Sequence, residues 1–192
     1  MLNIEKISEL SDLNVLYVED DSETREELEL ILGNWFSHLY VANNGQEGLA
    51  LFQQHQPDII ISDIQMPKMN GLSMSADIKQ TNPEQEIVIL SAYNDVEYLF
   101  RALELGIKHY ITKPVSIERL LEKLVEINRQ MSLQEEVNRN SKLLEQYKLL
   151  VDEKAIVAKI DLKGKISYVN QQFCTLSGYS EEELLGQHYL FS

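Results

Sequence analysis

The chain has a single cysteine, Cys174, among 192 residues, so no internal disulfide can form and a reducing compartment suits it. A lone cysteine of this kind reads as a small core residue. Basic side chains are also scarce: 17 Lys and Arg stand against 31 Asp and Glu, for a net charge of −14. Phosphate contacts need Lys and Arg, so this balance argues against nonspecific binding to nucleic acid or to an anionic membrane. No apolar run approaches the roughly 20 residues of a membrane helix. The amino terminus "MLNIEKISELSDLN" shows no signal-peptide pattern, and a cytoplasmic location is expected. No Gly-rich or Ser/Thr-rich phosphate loop follows the first apolar run, and no helix-turn-helix with a basic face is visible. What remains, at 44% apolar and 25% charged residues, is enough for one ordinary soluble domain plus further material.

From residue 14 the chain alternates between two textures. "NVLYVE" (14–19), "LYVAN" (39–43), "DIIISD" (58–63), "EIVILSA" (86–92) and "KHYITKP" (108–114) predict strands. Between them, "DSETREELELILGNWF" predicts a helix capped by Asp21 or Ser22, with Leu28, Ile31, Leu32 and Trp35 on one face. Further helices are predicted over 45–55, 71–80 and 96–106, the last closed by Gly106, and another opens at Ser116. Strands that read as near-continuous Val/Ile runs belong to parallel sheets covered on both faces. Five strand–helix units with short connections predict an α/β, doubly wound parallel sheet of order 2-1-3-4-5.

The last helix does not stop where a packing helix should. Between Ile117 and Asp152 there is neither Gly nor Pro. Ile117, Leu120, Leu124, Ile127 and Met131 follow a three-four spacing, and Val137, Leu144, Tyr147 and Val151 do so again, with Asn140 in the same seam. The two runs do not share one heptad register, which puts a phase break near residues 131–134. A parallel coiled-coil homodimer through residues 117–153, its register set by Asn140, is the expected use of the exposed part. A solvated single helix is the alternative.

The strand ends collect the chemistry. Strand one ends at Glu19-Asp20, strand three at Asp63, strand four at Ser91 and strand five at Lys113-Pro114. In the order 2-1-3-4-5 these ends are neighbours, and ligands of such sheets bind outside the carboxyl ends of the strands. Massed carboxylates repel one another unless a cation sits among them, and Mg²⁺ is the natural one beside a phosphate. Lys113 offers a point charge to a phosphoryl oxygen, Ser91 a hydrogen bond, and a carboxylate can itself be the nucleophile.

Residues 12–128 resemble the receiver domain of two-component response regulators, through "VLYVEDDSETR", "IISDIQMPKMNG", "VILSAYND" and "HYITKP" in order and spacing. The resemblance implies that Asp63 accepts a phosphoryl group from a histidine kinase or phosphotransfer protein. It implies that Mg²⁺ is held by Asp20, Asp63 and the backbone carbonyl of Gln65, with Glu19 acting mainly through water and Asp21 as an extra acid. It also assigns Ser91 as the hydroxyl that engages the phosphoryl group, Tyr110 as the switch aromatic, and Lys113 as the lysine whose bond to Pro114 is usually cis. The Gln65 side chain departs from the usual pattern, which bears on the lifetime of the phosphorylated state. A receiver is a switch more than a turnover enzyme: Ser91 would move, Tyr110 would turn into the vacated space, and the long helix would carry the change. The alternative is a folded receiver that takes no phosphoryl group and serves as a dimerisation scaffold.

The end of the chain, "DLKGKISYVNQQFCTLSGYSEEELLGQ", resembles the first part of a PAS domain, expected over residues 154–192: two strands about a Gly turn, then short helices with Ser180 and Glu183 in capping-box spacing. Other classes fit less well. A haloacid-dehalogenase-type hydrolase needs a second Asp two residues after the first, and Gln65 stands there. Ser37-His38 leads into a strand, without the residues that follow a kinase phospho-acceptor histidine, and His55, His109 and His188 lack metal-ligand spacing.

Overall fold

Apolar runs too short for a helix become strands buried on both faces. Ile59, Ile60 and Ile61 are all fully buried, as are Val15, Leu16, Tyr17 and Val18. The computed structural model describes residues 10–92 and 96–189, so residues 93–95 of "VILSAYND" lie outside the described residues. The elements run β1 (Asn14–Val18), α1 (Ser22–Leu32), β2 (His38–Ala42), α2 (Gly45–His55), β3 (Ile59–Asp63), α3 (Gly71–Thr81), β4 (Glu86–Ser91), α4 (Val96–Glu104), β5 (His109–Thr112) and α5 (Ile117–Lys154). Every neighbouring strand pair is parallel, in the predicted order β2-β1-β3-β4-β5.

Side chains alternate across the sheet. Leu16, Val18, Ile60, Ile87 and Ile89 pack with Phe52, Leu72, Met74, Ile78, Ala102 and Ile107 in one core. The alternate strand residues Tyr17, Ile61, Val88 and Leu90 are equally buried, as are Leu28 and Leu32 of α1 and Leu120, Leu124 and Ile127 of α5. Asx caps start the first three helices: Asp21 accepts from Thr24 N, Asn44 from Gln46 N and Glu47 N, and Asn70 from Ser73 N. The sequence over-extended α1. It ends at Leu32 because Gly33 follows and the Asn34 amide donates back to Leu30 O at 2.9 Å, so Trp35 lies in the turn beyond, half-buried, and Phe36 is buried instead.

The chain divides into two units at residues 130 and 131. In the second, α5 continues to Lys154, one residue past the predicted end. Residues 132–151 of that helix are exposed throughout, Val137, Leu144, Tyr147 and Val151 among them. The antiparallel pair β6 (Ala158–Ile160) and β7 (Ile166–Val169) follows, then α6 (Gln171–Ser177) and α7 (Glu181–Leu184). The turn between the strands is made by Asp161, which accepts from Lys163 N and Lys165 N, and by Gly164 at φ +76°. Ser180 and Glu183 form the expected capping box. Ile166, Val169 and Leu184 make a small core against which Phe173 and Cys174 pack. Asn170, 3% exposed, ties this unit together: its amide donates to Ala155 O at 2.6 Å, and its oxygen accepts from Val157 N and Phe173 N. Among the described residues no helix is long and apolar enough to cross a membrane.

At the amino ends of β4 and β5, His109 Nε2 lies 3.3 Å from Glu86 Oε2, and both side chains are largely buried. His109 holds the Glu86 carboxyl below the usual glutamate range. A depressed carboxylate pKa gives stability that is present above the unfolded value and lost as pH falls through the folded one. The thermal midpoint of the native protein should therefore exceed that of Glu86→Gln at pH 6. That margin should shrink as the pH drops below about 4.3, the ordinary glutamate value, and a margin that held or grew down to pH 3 would refute the pairing.

Candidate functional site

β1 and β3 hand over to their helices at adjacent points. The β1–β3 register ends at Val18 opposite Ser62, and Asp63 lies opposite Leu90 of β4. Ser91 pairs with Thr112, and Lys113 N donates to Ser91 O at 2.7 Å. Glu19, Asp63, Ser91 and Lys113 thus each close a strand at the same sheet edge, where the sequence put them.

The Lys113 ammonium lies 2.8 Å from Glu19 Oε2 and 2.8 Å from Asp63 Oδ2. Glu19 is 1% exposed and Asp63 13% by side chain, whereas Asp20 is exposed. Ligand oxygens of Glu19, Asp20 and Asp63 all lie within 4.8 Å of one another. Burial raises the Glu19 pKa and Asp63 adds to the rise, while the hydrogen bond from Lys113 works the other way. Burial pulls the Lys113 pKa down, but its bonds to Asp63 and Glu19 outweigh that and leave it raised. Asp63 Oδ1 accepts from Ile64 N at 2.6 Å, so both carboxylate oxygens are held and the group's orientation is set.

The loop between β3 and α3 is fixed from two sides. Gly71 N donates to Ile64 O at 2.9 Å, and Gly45 N, at the start of α2, donates to Met69 O at 3.1 Å. Lys68 takes a left-handed conformation, φ +65°, at the turn, and Gln65 is exposed at its start. Ser91 Oγ is fully buried and has no hydrogen-bond partner among the described residues. Tyr110, on β5, is 52% exposed. The Lys113–Pro114 peptide is cis.

Two residues near the acids went unremarked in the sequence. Arg25 Nη1 donates to Glu19 O at 2.9 Å and to Asp20 O at 3.0 Å. Its signal was positional: it stands one helical turn after the cap Asp21, on the side that faces back toward the strand end. Tyr17, two residues before Glu19 on the same face of β1, buries a hydroxyl without a partner among the described residues. Its pKa is pushed up by burial and further by Glu19 and Asp63. No histidine joins the cluster: His55 stacks on Tyr40, and His109 faces Glu86.

The donor set is all oxygen and strongly anionic, and Ser91, one residue past the Leu90 that lies opposite Asp63, buries a hydroxyl with no partner among the described residues. Such a set suits a small hard cation that keeps some of its own water, and Mg²⁺ fits it.

The family model of the response regulator receiver domain matches residues 15–125, and that of the PAS fold matches residues 147–191. The transcriptional regulatory protein HptR of Staphylococcus aureus is 37% identical over 109 residues, 55% of this chain and 42% of that one. The chain thus spans less than half the length of the curated relatives it matches. Among solved structures, the N-terminal domain of an uncharacterized protein from Wolinella succinogenes is 40% identical, with a TM-score of 0.60, covering 65% of this chain and 99% of that one. A chain of the CheX–CheY–BeF₃–Mg²⁺ complex from Borrelia burgdorferi is 26% identical, with a TM-score of 0.55, covering 60% of this chain and 88% of that one.

Gly71 decides how closely α3 approaches Asp63. A Cβ there would overlap the Asp63 carbonyl oxygen and lie 2.7 Å from Ser62 Oγ. Helix propensity alone favours alanine by about 1 kcal/mol. The clash should win, so Gly71→Ala should lower unfolding stability by about 2–3 kcal/mol in a urea titration. A neutral or stabilising result would mean that the loop yields.

Proposed function

The chain belongs to the response regulator receiver family, and from that membership we propose that it is a phosphorylation switch with Asp63 as its acceptor. As a two-component response regulator it stands opposite the histidine kinases or phosphotransfer proteins with which receiver domains interact, and such a donor, in the cytoplasm, is the proposed source of the phosphoryl group. The observation that carries the reading is Asp63 held by Lys113 Nζ at 2.8 Å, inside a cluster with Glu19 and Asp20.

In the proposed reaction an oxygen of Asp63 attacks the donor phosphorus in line. The P–N bond of a phosphohistidine breaks, its electron pair returns to the imidazole nitrogen, and an acyl phosphate forms on Asp63. The residues that would hold Mg²⁺ are Asp20, Asp63 and the carbonyl of Gln65, with Glu19 behind them; when bound, it would neutralise charge on the transferring oxygens. Lys113 already donates to Asp63 Oδ2, and in the product it would contact a phosphoryl oxygen instead. Ser91 has an unsatisfied buried hydroxyl next to that position, which a second phosphoryl oxygen would satisfy. Tyr110, now half exposed, is the side chain that would turn inward behind Ser91.

Downstream, α5 is the proposed relay. Leu120, Leu124 and Ile127 are buried with the sheet, so within the span 117–153 the seam for a second copy starts beyond Met131. Leu133, Asn140 and Tyr147 repeat every seven residues, as do Val137, Leu144 and Val151, which gives the alternating spacing of a coiled coil. The apolar members are all between 45% and 69% exposed in the single chain, and a parallel homodimer would cover them. The PAS segment then receives the helix through Asn170 and through Tyr168, whose hydroxyl donates to Asp152 at 2.8 Å.

Two measurements test this. With Mg²⁺ and acetyl phosphate, intact mass should show one phosphoryl adduct on the native chain and none on Asp63→Asn or without divalent metal; equal labelling of Asp63→Asn would dispose of Asp63 as acceptor. By light scattering the native chain should be a dimer. Leu144→Glu, which buries a charge at the seam, should be a monomer with its receiver intact by circular dichroism, and a dimer that survived it would move the interface elsewhere.

A further inference from the structure

The Arg25 guanidinium uses a single nitrogen to hold two successive backbone oxygens, those of Glu19 and Asp20. These carbonyls lie past the last ladder pair of β1, which ends at Val18 opposite Ala42. Beyond that point one bond to a strand neighbour remains, from Glu19 N to Ala42 O at 3.1 Å, and no ladder pair sets how the Glu19 and Asp20 carbonyls turn. The turn is pinned by other means: Asp21 caps Thr24 N at 2.8 Å, and Arg25 N donates to Asp21 O at 2.9 Å. Arg25 closes the set, reaching back from the first turn of α1 to the peptides that carry both acids.

The direction of this charge matters. A cation placed on the carboxylates would compete with a metal for their oxygens. Arg25 directs its bonds at the carbonyls, so it fixes the peptide planes and leaves the carboxylate oxygens available. On Glu19 itself, Lys113 Nζ donates to Oε2 at 2.8 Å and the Asp21 peptide N–H bonds the same carboxylate. A side chain's direction follows from its own backbone, so the two bonds orient the Glu19 and Asp20 carboxylates toward Asp63.

We propose that Arg25 is a positioning residue of the divalent-cation site, clamping the Glu19 and Asp20 carbonyls so that the acidic pair is pre-set before a cation arrives. This rests on the reading of Glu19, Asp20 and Asp63 as a Mg²⁺ site. Partners behind the ligands of a metal site typically contribute at least tenfold in affinity, and pre-setting is the part of that effect assigned to Arg25.

The test is Mg²⁺ titration calorimetry on the full chain, well below its unfolding temperature, for the native protein, Arg25→Ala and Arg25→Lys. Arg25→Ala should bind Mg²⁺ about tenfold more weakly. Arg25→Lys should recover most of the loss, because an ammonium has donors enough for both carbonyls. Phosphorylation by acetyl phosphate should need correspondingly more Mg²⁺ in Arg25→Ala yet reach the native rate at saturation, a split that a general loss of stability would not produce. Native Mg²⁺ affinity in a folded Arg25→Ala overturns the proposal, as does a weakened affinity that Arg25→Lys leaves uncorrected. Should Arg25→Ala fail to fold, Arg25→Met, which keeps the apolar stem without a donor, takes its place, and unchanged affinity there overturns it equally. A native chain whose own titration is flat overturns the metal-site reading itself, and is told apart by that control.

Discussion

One ammonium holds the sheet edge together. Lys113 bridges Glu19 and Asp63, residues 94 and 50 positions away in sequence, at 2.8 Å each. Two like charges 4.8 Å apart, the span of this acid cluster, repel by roughly 3 kcal/mol at an effective dielectric constant near 20. An apolar sheet that delivers a buried glutamate and an aspartate to one edge must answer that repulsion. Parallel pairing does so by topology: β1, β3 and β5 run the same way, so the lysine that closes β5 arrives at the same end as the acids. Reversing β5 would send Lys113 to the opposite edge and leave Glu19, 1% exposed, without that counter-charge. The doubly wound order and the chemistry at its edge are therefore a single constraint.

Much of this was legible in the sequence, for identifiable reasons. Strands buried on both faces announce themselves as Val/Ile runs, and all five were placed within one or two residues, with their order. The acids, Ser91 and Lys113 were found because each ends such a run. Trp35 was misplaced because an apolar residue at helical spacing reads the same whether the helix continues or stops, and the stop depended on the Asn34 side chain turning back to Leu30 O. Arg25 and Tyr17 escaped for another reason. Arg25 acts on backbone oxygens, which carry no sequence signal, and Tyr17 looks like any other strand residue until its hydroxyl is found buried without a partner.

The long helix shows how a pattern can be read correctly before its cause is visible. Its two apolar runs are out of register, and the break near residues 131–134 suggested a joint in a coiled coil. The helix runs without interruption through that point. What changes is the environment: Leu120, Leu121, Leu124 and Ile127 are buried with the sheet, whereas the apolar residues from Leu133 onward are exposed. Two faces that serve two different surroundings have no need of a common phase. The offset therefore marks the residue at which α5 stops being a packing helix, and it falls where the chain divides into its two units.

The energetics of the proposed switch are bounded by the same observations. An unsatisfied buried hydroxyl costs about 1–3 kcal/mol, so satisfying Ser91 Oγ with a phosphoryl oxygen releases at most that much. Moving a two-state equilibrium from 1:99 to 99:1 takes about 5.5 kcal/mol of differential affinity. Ser91 alone therefore falls short. Tyr110, 52% exposed on β5, supplies a second increment when its ring is buried. Lys113 is the third: it now divides its charge between Glu19 and Asp63, and an incoming phosphoryl group adds negative charge where that ammonium already sits. The switch is then a sum of three modest terms, placed on β4, on β5 and at the end of β5, and the last two lie on the segment that leads directly into α5. On the proposed reading, a signal generated by any one of them without the others would shift the equilibrium only partway, and a full response to phosphorylation would draw on all three.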